Sequence, residues 1–448
     1  MTMMKSLIAT TFIVAAGLVV LAQNPPAQPP QQPDRVKFEL IGSGGLPPKV
    51  AVPDFLGDVA AGKTLGQVLW DDLDFEAEFY LIPRDTYRSI PQPPALDRVV
   101  VQPWKELGAD GVIVGSVHQS GTNLVVQVKL IRVATGESLF AKEYTGPAKN
   151  PRFFAHTIAD EIHQQQRGLR GVARTKMTFT SDRDGERIKG PTASRDIQNI
   201  YIADYDGANQ TRITIAKSLD ITPTWSPDAK SIAYTSYSSG YPDIIVAEIY
   251  AARSSRPAKG TDRVHNFLPA WSPDGSKLAF MSNRDGNPEI YVVNRNGSDL
   301  RRLTHHPGSD VTPTWAPSGN QIAFTSDRTG RPQIWIMNVD GSQQAKITNE
   351  SWCDRPTWSP APFNEIAYAS QSGGGYDIRI YDVGSGNTRT ITDGMGSNES
   401  PAFSPTGRHL AYTSSRNGKY QIFTIRRDGT NRKAITTAGE NRYPNWSN

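Results

Sequence analysis

The segment from Gly57 to Thr64 has the residue spacing that most directly suggests chemistry. It reads Gly-Asp-Val-Ala-Ala-Gly-Lys-Thr, which matches the phosphate-binding pattern G-x-x-x-x-G-K-T, and it lies between a predicted strand and a predicted helix. In that setting, backbone N–H groups and Lys63 could cradle the phosphates of a nucleotide. However, no apolar strand ending in Asp follows at a position suited to hold Mg²⁺, and the surrounding domain is small for that fold. We therefore interpret the segment as the start of a helix.

Other nucleophiles, histidines and acids in the sequence point away from catalysis and metal binding. The sequence contains neither G-x-S-x-G nor H-E-x-x-H, and the alternating Asp residues and distal Glu of a calcium loop are absent. His156 and His163 share one face of a predicted helix, and we expect them to pack beside a sheet. We predict no catalytic residue, no metal site and no cofactor.

A short repeated phrase organises the second half of the chain. Its aromatic residue is preceded by Pro and one further residue, and it is usually followed by Ser-Pro. The phrase recurs about every 45 residues, a period that, when filled with short strands and Asp-Gly or Asn-Gly turns, is typical of a β-propeller. We interpret the aromatic residues as packing between blades rather than binding a ligand. These residues are Trp225, Trp271, Trp315, Trp358, Phe403 and Trp446.

The two ends of the repeat region predict how the propeller closes. The chain stops just after a first-strand phrase that ends at Trp446, whereas Lys176–Gly185 and Asn199–Asp204 read as second and third strands that lack a first. We predict that the C-terminal strand completes this blade, which removes an open seam in the ring. Residues 171–448 are thus expected to form an all-β six-bladed β-propeller closed by strands from both ends of the propeller region.

Residues 34–170 show a different pattern, in which strand-like and helix-like segments alternate. Such alternation predicts a small α/β domain at the N-terminal side of the propeller. The predicted strands are Arg35–Ile41, Lys49–Phe55, Glu78–Ile82, Gly111–His118, Asn123–Val133 and Ser138–Tyr144. The predicted helices are Thr64–Glu76, Val101–Leu107 and Arg152–Gln166.

The first residues predict export from the cytoplasm. Lys5 precedes an apolar run from Leu7 to Leu21, and small residues suited to cleavage end at Ala22, so residues 1–22 are expected to be a signal peptide. An uncleaved membrane anchor is the alternative. Residues 23–33 are rich in Pro and Gln, which favours an extended tether. Export also counts against a nucleotide site, because nucleoside triphosphates are scarce outside the cytoplasm.

Length and composition set further limits. The 448 residues are enough for two or three domains, and a net charge of +4 with 21% charged residues does not demand a nucleic-acid partner. The 33 Pro and 38 Gly residues suit a turn-rich β architecture. Cys353 is the single cysteine, so no intramolecular disulfide can form. We expect a monomer with no membrane span after signal cleavage.

The order of export signal, small α/β domain and six-bladed propeller resembles the TolB family, the periplasmic component of the bacterial Tol–Pal envelope system. The resemblance covers about residues 34–448. It is carried by Leu107–Ser116 (LGADGVIVGS), by the helix Ala155–Ile162 (AHTIADEI) and by Thr175–Ser181 (TKMTFTS), which leads into the propeller.

The resemblance implies binding rather than catalysis, in the periplasm. Family members bind the peptidoglycan-associated lipoprotein Pal at the mouth of the propeller channel, and their N-terminal segment engages TolA, an inner-membrane-anchored protein. The system helps the outer membrane to constrict at division and to stay intact. A Pal-like and a TolA-like protein are therefore the expected partners. The TolA-like partner would contact Arg35, Val36, Lys37, Phe38, Glu39 and Leu40.

The loops that enter the inner strands are expected to surround one end of the channel. Three residues before each repeated Pro, five of the six equivalent positions carry Asp or Asn, which predicts a polar ring that accepts hydrogen bonds from a partner or a cation. The alternative is that Asp and Asn are ordinary turn residues here. By the resemblance, His265, Leu268 and Val311 are further expected partner contacts. The equivalent positions are Asp220, Asn266, Asp310, Cys353, Asn398 and Asn441.

Blade 2 departs from the repeat. Tyr250–Lys259 (YAARSSRPAK) replaces the usual third turn with a basic insertion in the neighbourhood of His265. We expect this insertion to reshape the surface that a Pal-like protein would meet.

Two other functions stay open at this point. The propeller could bind peptides or glycans of the cell wall, and Phe267, Trp352 and Tyr443 lie in loops where aromatic side chains would serve that purpose. Similar repeats also occur in propellers that gate serine peptidases. The chain would then be a non-catalytic relative of such propellers, because no residues remain after blade 6 for a hydrolase domain.

Overall fold

The computed structural model describes residues 39–42, 46–189 and 194–448, in which an α/β domain is followed by a β-propeller. The predicted signal peptide (residues 1–22), the predicted tether (residues 23–33) and Arg35–Phe38 of the predicted TolA-binding segment lie outside the described residues. No helix within the described ranges combines the length and the apolar character needed to cross a membrane.

The described part of the α/β domain has six strands and three α-helices. The strands are β1 (Lys49–Ala51), β2 (Leu56–Gly57), β3 (Tyr80–Leu81), β4 (Gly111–Ser120), β5 (Asn123–Arg132) and β6 (Ser138–Pro147). The helices are α1 (Val59–Glu76), α2 (Gln102–Glu106) and α3 (Pro151–Arg167), and a short 3₁₀ helix spans Arg84–Tyr87. The strands form one mixed sheet in the order β3-β1-β4-β5-β6, with β2 paired to β4. Pairs that involve β1 or β2 are parallel, and β4, β5 and β6 are antiparallel.

The sheet buries both of its faces, because successive side chains of a strand point to opposite sides. Ile113 and Val117 of β4 belong to the apolar cluster that includes α1 and α3. Val112 and Val114 of the same strand belong to a second cluster, which includes Trp104 of α2. The alternation along β4 thus places helices on both sides of the sheet.

The beginning of α1 decides the meaning of the phosphate-loop pattern. Asp58 caps the helix by accepting a hydrogen bond from the Ala61 N–H at 2.9 Å, so the helix begins at Val59. Gly62 and Lys63 consequently lie inside α1, and the Gly62 N–H donates to the Asp58 carbonyl at 2.7 Å. A phosphate loop would need such N–H groups to be free. The interpretation as a helix start is confirmed.

The predicted strand at Arg35–Ile41 is wrong in its described portion. Residues 39–42 have no regular secondary structure. Leu40 is instead buried, and its N–H donates to the Gln166 side chain of α3 at 2.8 Å rather than to a neighbouring strand.

The propeller has six blades of four antiparallel strands. Blade 1 contains β7 (Lys176–Ser181), β10 (Asn199–Asp204), β11 (Thr211–Arg212) and the last strand of the chain, β32 (Asn441–Trp446), and its loop carries the hairpin β8 (Arg187–Lys189) and β9 (Ser194–Asp196). Blade 2 contains β12 (Asp220–Trp225), β13 (Ser231–Ser236), β14 (Asp243–Glu248) and β15 (Arg253–Ser255). Blade 3 contains β16 (Asn266–Trp271), β17 (Lys277–Ser282), β18 (Glu289–Asn294) and β19 (Arg301–Arg302). Blade 4 contains β20 (Asp310–Trp315), β21 (Gln321–Ser326), β22 (Gln333–Asn338) and β23 (Ala345–Lys346). Blade 5 contains β24 (Cys353–Trp358), β25 (Glu365–Ser372), β26 (Gly375–Asp382) and β27 (Thr388–Thr390). Blade 6 contains β28 (Asn398–Phe403), β29 (His409–Ser414), β30 (Gln421–Arg426) and β31 (Lys433–Ala434).

The propeller closes as predicted. β32 forms the inner strand of blade 1 and pairs with β7, so that Asn441 lies opposite Ser181 and Trp446 opposite Met177. Beyond these pairs, the Ser447 N–H donates to the Lys176 carbonyl at 2.8 Å. Strands from the two ends of the propeller region therefore complete one blade.

The repeated aromatic residues pack between blades, as expected. All six are less than 10% exposed. The Trp271 indole N–H donates to the Thr224 carbonyl of the preceding inner strand at 3.3 Å, and that of Trp315 donates to the Ala270 carbonyl at 3.1 Å. The phrase thus links each of these blades to the blade before it.

The α/β domain packs on one end of the propeller. Tyr205, which follows β10, donates its hydroxyl hydrogen to Asp72 of α1 at 2.8 Å. His409, at the start of β29, stacks on Phe75 of α1 with the ring centroids 4.1 Å apart. β29 runs from His409 to Ser414, and Ser414 pairs with Asn398, a residue of the predicted polar ring. The α/β domain therefore lies at the end of the propeller opposite to that ring.

This junction corrects the expectation that His156 and His163 pack beside the sheet. His156 Nδ1 lies 2.8 Å from Asp72 of α1, and its Nε2 lies 3.8 Å from Asp204 of the propeller. His163 Nε2 lies 3.3 Å from the Arg408 guanidinium. His156 therefore lies between α1 and the propeller, and His163 faces the propeller, so this side of α3 forms part of the domain junction.

Candidate partner-binding site at the channel mouth

The six predicted ring positions are the first residues of the six inner strands. Each begins the strand that lines the channel, so all six lie at one end of the propeller. Their side chains are at most 1% exposed. The structure therefore brings the six together as a buried layer just below the rim of the channel. Whether any of them contacts a partner stays a prediction.

Arginines from the same blade hold three of these residues. Arg328 Nη2 donates to the Asp310 carboxylate at 2.5 Å, and Arg284 Nη2 donates to the Asn266 side-chain oxygen at 3.1 Å. In blade 1, Arg183 Nη2 bonds Asn441 in the same way at 2.7 Å. These acceptors are thus used inside the protein.

The remaining ring residues bond mainly to serines or to their own loops. Asp220 accepts from the Ser236 hydroxyl at 2.6 Å, and Asn398 accepts from the Ser414 hydroxyl at 2.7 Å. Burial raises the pKa of Asp220, against the opposing effect of Ser236, and burial likewise raises the pKa of Asp310. Cys353 is fully buried, and burial raises the pKa of its thiol to about 12, so it is a neutral member of the ring.

The sequence analysis did not predict a role for these arginines, although a repeated pattern indicates them. A serine ends the second strand of every blade, and in four blades an arginine follows two positions later. In the structure, each arginine folds back over the aromatic residues of its blade, as Arg328 does at 4.7 Å from the Trp335 ring centroid. The pairs are Ser181 and Arg183, Ser282 and Arg284, Ser326 and Arg328, and Ser414 and Arg416.

The three residues carried over from the family are half-buried at this end of the propeller. The His265 N–H donates to Asn283 at 2.7 Å, and its ring stands 6.4 Å from that of Phe267. Leu268 lines the channel, and Val311 follows Asp310 directly in β20. All three therefore lie within two residues of a ring position, with part of each side chain open to solvent.

A backbone irregularity repeated in all six inner strands shapes the channel. The residue before each repeated Pro has a positive φ, between 49° and 58°, and the strand pairing shifts by a bulge around it. The resulting polar channel has a cavity of about 150 Å³. The residues with positive φ are Thr222, Leu268, Thr312, Arg355, Ser400 and Tyr443.

One side of the channel carries a cation against an aromatic ring. The Arg355 guanidinium lies 4.5 Å from the centroid of the Tyr443 ring. Its neighbour Asp354 accepts a hydrogen bond from Thr325 at 3.0 Å. The other five residues with positive φ are uncharged. The channel lining is therefore asymmetric, although the backbone repeats six times.

The sequence presents the basic insertion of blade 2 as one continuous segment, but the structure divides it between the two ends of the blade. Tyr250 is 80% exposed in the turn between β14 and β15, at the end of the blade that faces away from the ring. β15 then returns along the blade, and the residues that follow it lead to Asn266 at the channel mouth. The strand of three residues separates the two halves of the insertion.

At the domain junction, one group of acids and histidine has atoms close enough together to suggest a metal site. Ligand atoms of His156, Asp204 and Asp206 lie within 4.8 Å of one another. However, Arg152 bonds Asp206 and Lys176 bonds Asp204, so two cations already compensate the carboxylates. The arrangement is an ion-pair network between the domains.

The predicted TolA-binding segment is described only at its end. The Glu39 carbonyl accepts a hydrogen bond from Arg132 at 3.0 Å, and Leu40 packs in the core of the α/β domain. Arg35, Val36, Lys37 and Phe38 lie outside the described residues. The assignment of this segment to a TolA-like partner stays a prediction.

Comparison with known proteins places the chain in a family. The profile of the TolB beta propeller domain matches residues 164–448, and that of the TolB amino-terminal domain matches residues 37–139. A Tol-Pal system protein TolB from Bordetella avium is 33% identical over 62% of this chain and 59% of its own length. One from Pseudomonas putida is 32% identical over 47% of each chain, so the chain spans about half the length of such curated relatives.

A solved structure extends the similarity to both domains. TolB from Acinetobacter baumannii has 26% sequence identity and a TM-score of 0.76, over 90% of this chain and 97% of the other. The propeller profile alone covers more than half of the sequence. The chain therefore belongs to the TolB family of an α/β N-terminal domain followed by a six-bladed β-propeller.

Proposed function

We propose that this chain is a non-catalytic periplasmic scaffold of a Tol–Pal system, which binds a Pal-like lipoprotein at the channel mouth. The observation that carries the proposal is the arrangement of the two ends of the propeller. The α/β domain covers the end near Arg408 and Tyr205, whereas the opposite end presents His265 and Val311 around a narrow polar channel. Membership in the TolB family supports the same site.

The proposed site combines buried residues, held in place by ion pairs and hydrogen bonds, with contact residues that are partly exposed to solvent. Buried pairs such as Arg328 with Asp310 keep the rim in one arrangement, which lowers the ordering cost when a partner binds. His265 and Val311 then offer a polar and an apolar contact beside this frame. The proposed contacts are His265, Leu268, Val311, Asp220, Asn266, Asp310, Asn398 and Asn441, of which the five Asp and Asn residues would contribute mainly as the buried frame.

A TolA-like inner-membrane protein is the proposed second partner, through the segment Arg35–Leu40. Simultaneous contact with an outer-membrane lipoprotein and an inner-membrane protein would couple the two membranes and support envelope integrity and division. Substituting Lys37→Glu and Phe38→Ala together is expected to weaken binding of the TolA-like protein and to leave binding of the Pal-like protein unchanged. Equal loss of both interactions would contradict separate sites.

The experiment for the main proposal is calorimetric titration of the purified protein with the soluble domain of the Pal-like lipoprotein from the same organism. Saturable binding is expected, weakened about tenfold by His265→Ala or Val311→Ala, a loss typical of interface residues that contribute substantially. Tyr250→Ala is the matched control, because this exposed side chain lies at the other end of blade 2. No binding by the folded wild-type protein would overturn the proposal.

A second candidate function is binding of cell-wall peptides or glycans. It is favoured by Trp352, which is 41% exposed just before β24, and by Tyr443 in the channel. Titration with soluble wall fragments, followed by Trp fluorescence with Trp352→Ala as the control, tests it. A saturable, Trp352-dependent signal together with no Pal-like binding would favour this function.

A further inference from the structure

The loop that joins β15 to β16, residues 256–265, departs from the six-fold pattern at the channel mouth; we call it the blade 2 loop. Arg253 pairs with Glu248 at the far end of β14, and β15 runs from there towards the end at which Asp243 stands. The loop leads directly into Asn266, the ring residue of blade 3. It therefore forms part of the rim.

The blade 2 loop presents exposed cations that pair with no described acid. Arg256, Lys259 and Arg263 are exposed, and none of them forms an ion pair or a side-chain hydrogen bond with any described residue. The loop contains one acid, Asp262. Charges that are unpaired and solvated remain available to a partner.

The backbone that carries these cations is well packed. Ala258 is 2% exposed, and its carbonyl accepts a hydrogen bond from the Asn266 side chain. The Thr261 N–H donates to the Val264 carbonyl at 2.8 Å. A Cβ added to Gly260 would lie 2.8 Å from that same carbonyl, so the chain passes closely over itself. The three cations consequently project from a fixed loop.

Corresponding loops of other blades differ in charge and in pairing. Glu350, in the loop after blade 4, pairs with Arg379 at 3.1 Å, and Asp393, in the loop after blade 5, pairs with Arg432 at 3.0 Å. These acids are neutralised within the protein. The loop after blade 1 carries a single exposed cation without an ion pair to a described residue, Lys217, whereas the blade 2 loop carries three within ten residues.

We propose that the blade 2 loop steers and orients an acidic protein surface onto the channel mouth. The inference rests on the proposed function, since it assigns a property to the partner that binds there: carboxylates placed to meet Arg256, Lys259 and Arg263 next to His265. Exposed opposite charges accelerate encounter and select orientation, and salt screens them. The loop therefore acts mainly on the association rate.

Stopped-flow measurements of association with the soluble Pal-like domain, from about 0.02 to 0.5 M NaCl, test this proposal. At low salt, reversing the three charges is expected to slow association about tenfold or more. The difference should shrink at high salt, and the dissociation rate should change little. The control carries the same charge change at exposed cations away from the rim. The blade 2 variant is R256E/K259E/R263E, and the control is K63E/K149E/K230E.

The outcomes separate this inference from the proposed function. If the wild-type protein fails to bind the Pal-like domain at every salt concentration, the proposed function fails and the inference fails with it. If it binds but the blade 2 variant associates as fast as the control, the inference alone is wrong. Binding to phosphatidylglycerol vesicles that is lost in the blade 2 variant, with unchanged association of the Pal-like domain, would assign the cations to a membrane surface and overturn it.

Discussion

Arg408 of blade 6 and Glu76, the last residue of α1, form an ion pair at 2.6 Å across the junction of the two domains. The Glu76 side chain is 4% exposed and that of Arg408 is 19% exposed. Burial raises the pKa of Glu76, while Arg408 acts in the opposite direction. Arg408 also donates to the Arg170 carbonyl at 2.7 Å, so this propeller side chain contacts both α1 and the residues that follow α3.

Arg408→Met is expected to lower the free energy of unfolding by about 3 kcal/mol, because it leaves the Glu76 carboxylate buried without its cation. The Val172 N–H, at 2.8 Å, would be its remaining partner among those described. Urea denaturation at neutral pH measures the loss. The double variant Arg408→Met with Glu76→Gln is expected to be more stable than Arg408→Met alone, since it buries no unpaired charge. Strict additivity of the two changes would contradict this account.

His156 is expected to make the stability of the junction depend on pH. Burial opposes its charged form, but Asp72, Asp204 and Asp206 outweigh burial and raise its pKa to about 9. A pKa above the unfolded value means that the stabilisation is complete below about pH 6.5 and is lost as the pH rises through about 9. His156→Gln should therefore cost up to about 3 kcal/mol at pH 6 and much less at pH 9.5. Denaturant titrations at the two pH values measure the difference, and a pH-independent cost would argue against the charged network.

Arg328→Met is expected to loosen the channel mouth. The substitution leaves Asp310 buried without its cation, at a cost of about 3 to 5 kcal/mol, and also weakens Pal-like binding. Arg416→Met is the matched control, because Arg416 occupies the equivalent position of blade 6 but pairs with the half-exposed Asp393. Its cost should be about 1 kcal/mol or less. Thermal unfolding and calorimetry distinguish the two, and similar effects for both would be inconsistent with a ring-specific role.

Substitutions of Gly62 and Lys63 in α1 distinguish a packing role of this segment from phosphate binding. A Cβ at Gly62 would lie 2.2 Å from the Phe55 carbonyl, so Gly62→Ala is expected to destabilise the protein by about 1 to 3 kcal/mol. Lys63 is exposed, and Lys63→Ala should leave stability within about 0.5 kcal/mol of wild type. Neither variant should change a MgATP titration, which is expected to show no binding. Saturable binding lost in Lys63→Ala would instead restore the phosphate-loop reading.

Local sequence predicted those elements whose cause is local. The turns and alternating strands of the propeller follow from Asp-Gly and Asn-Gly pairs and from period-two apolar residues, and the helix at the Gly57–Thr64 segment follows from the capping residue Asp58. The segment Arg35–Ile41 shows the limit of this reasoning. Its alternation suggests a strand, but the partner of the Leu40 N–H is Gln166, which lies far along the chain and cannot be identified from a local pattern.

The sequence by itself determined the six-fold repeat, the closure of the propeller by its last strand and the α/β domain before it. It also determined the positions of the polar ring residues. Each of these features depends on spacing along the chain. Only the tertiary structure decided that the ring is buried beneath arginines such as Arg328, that α3 turns His156 towards the propeller, and that β15 divides the blade 2 insertion between the two ends. These features depend on side chains that meet across elements distant in sequence, and spacing carries no record of such contacts.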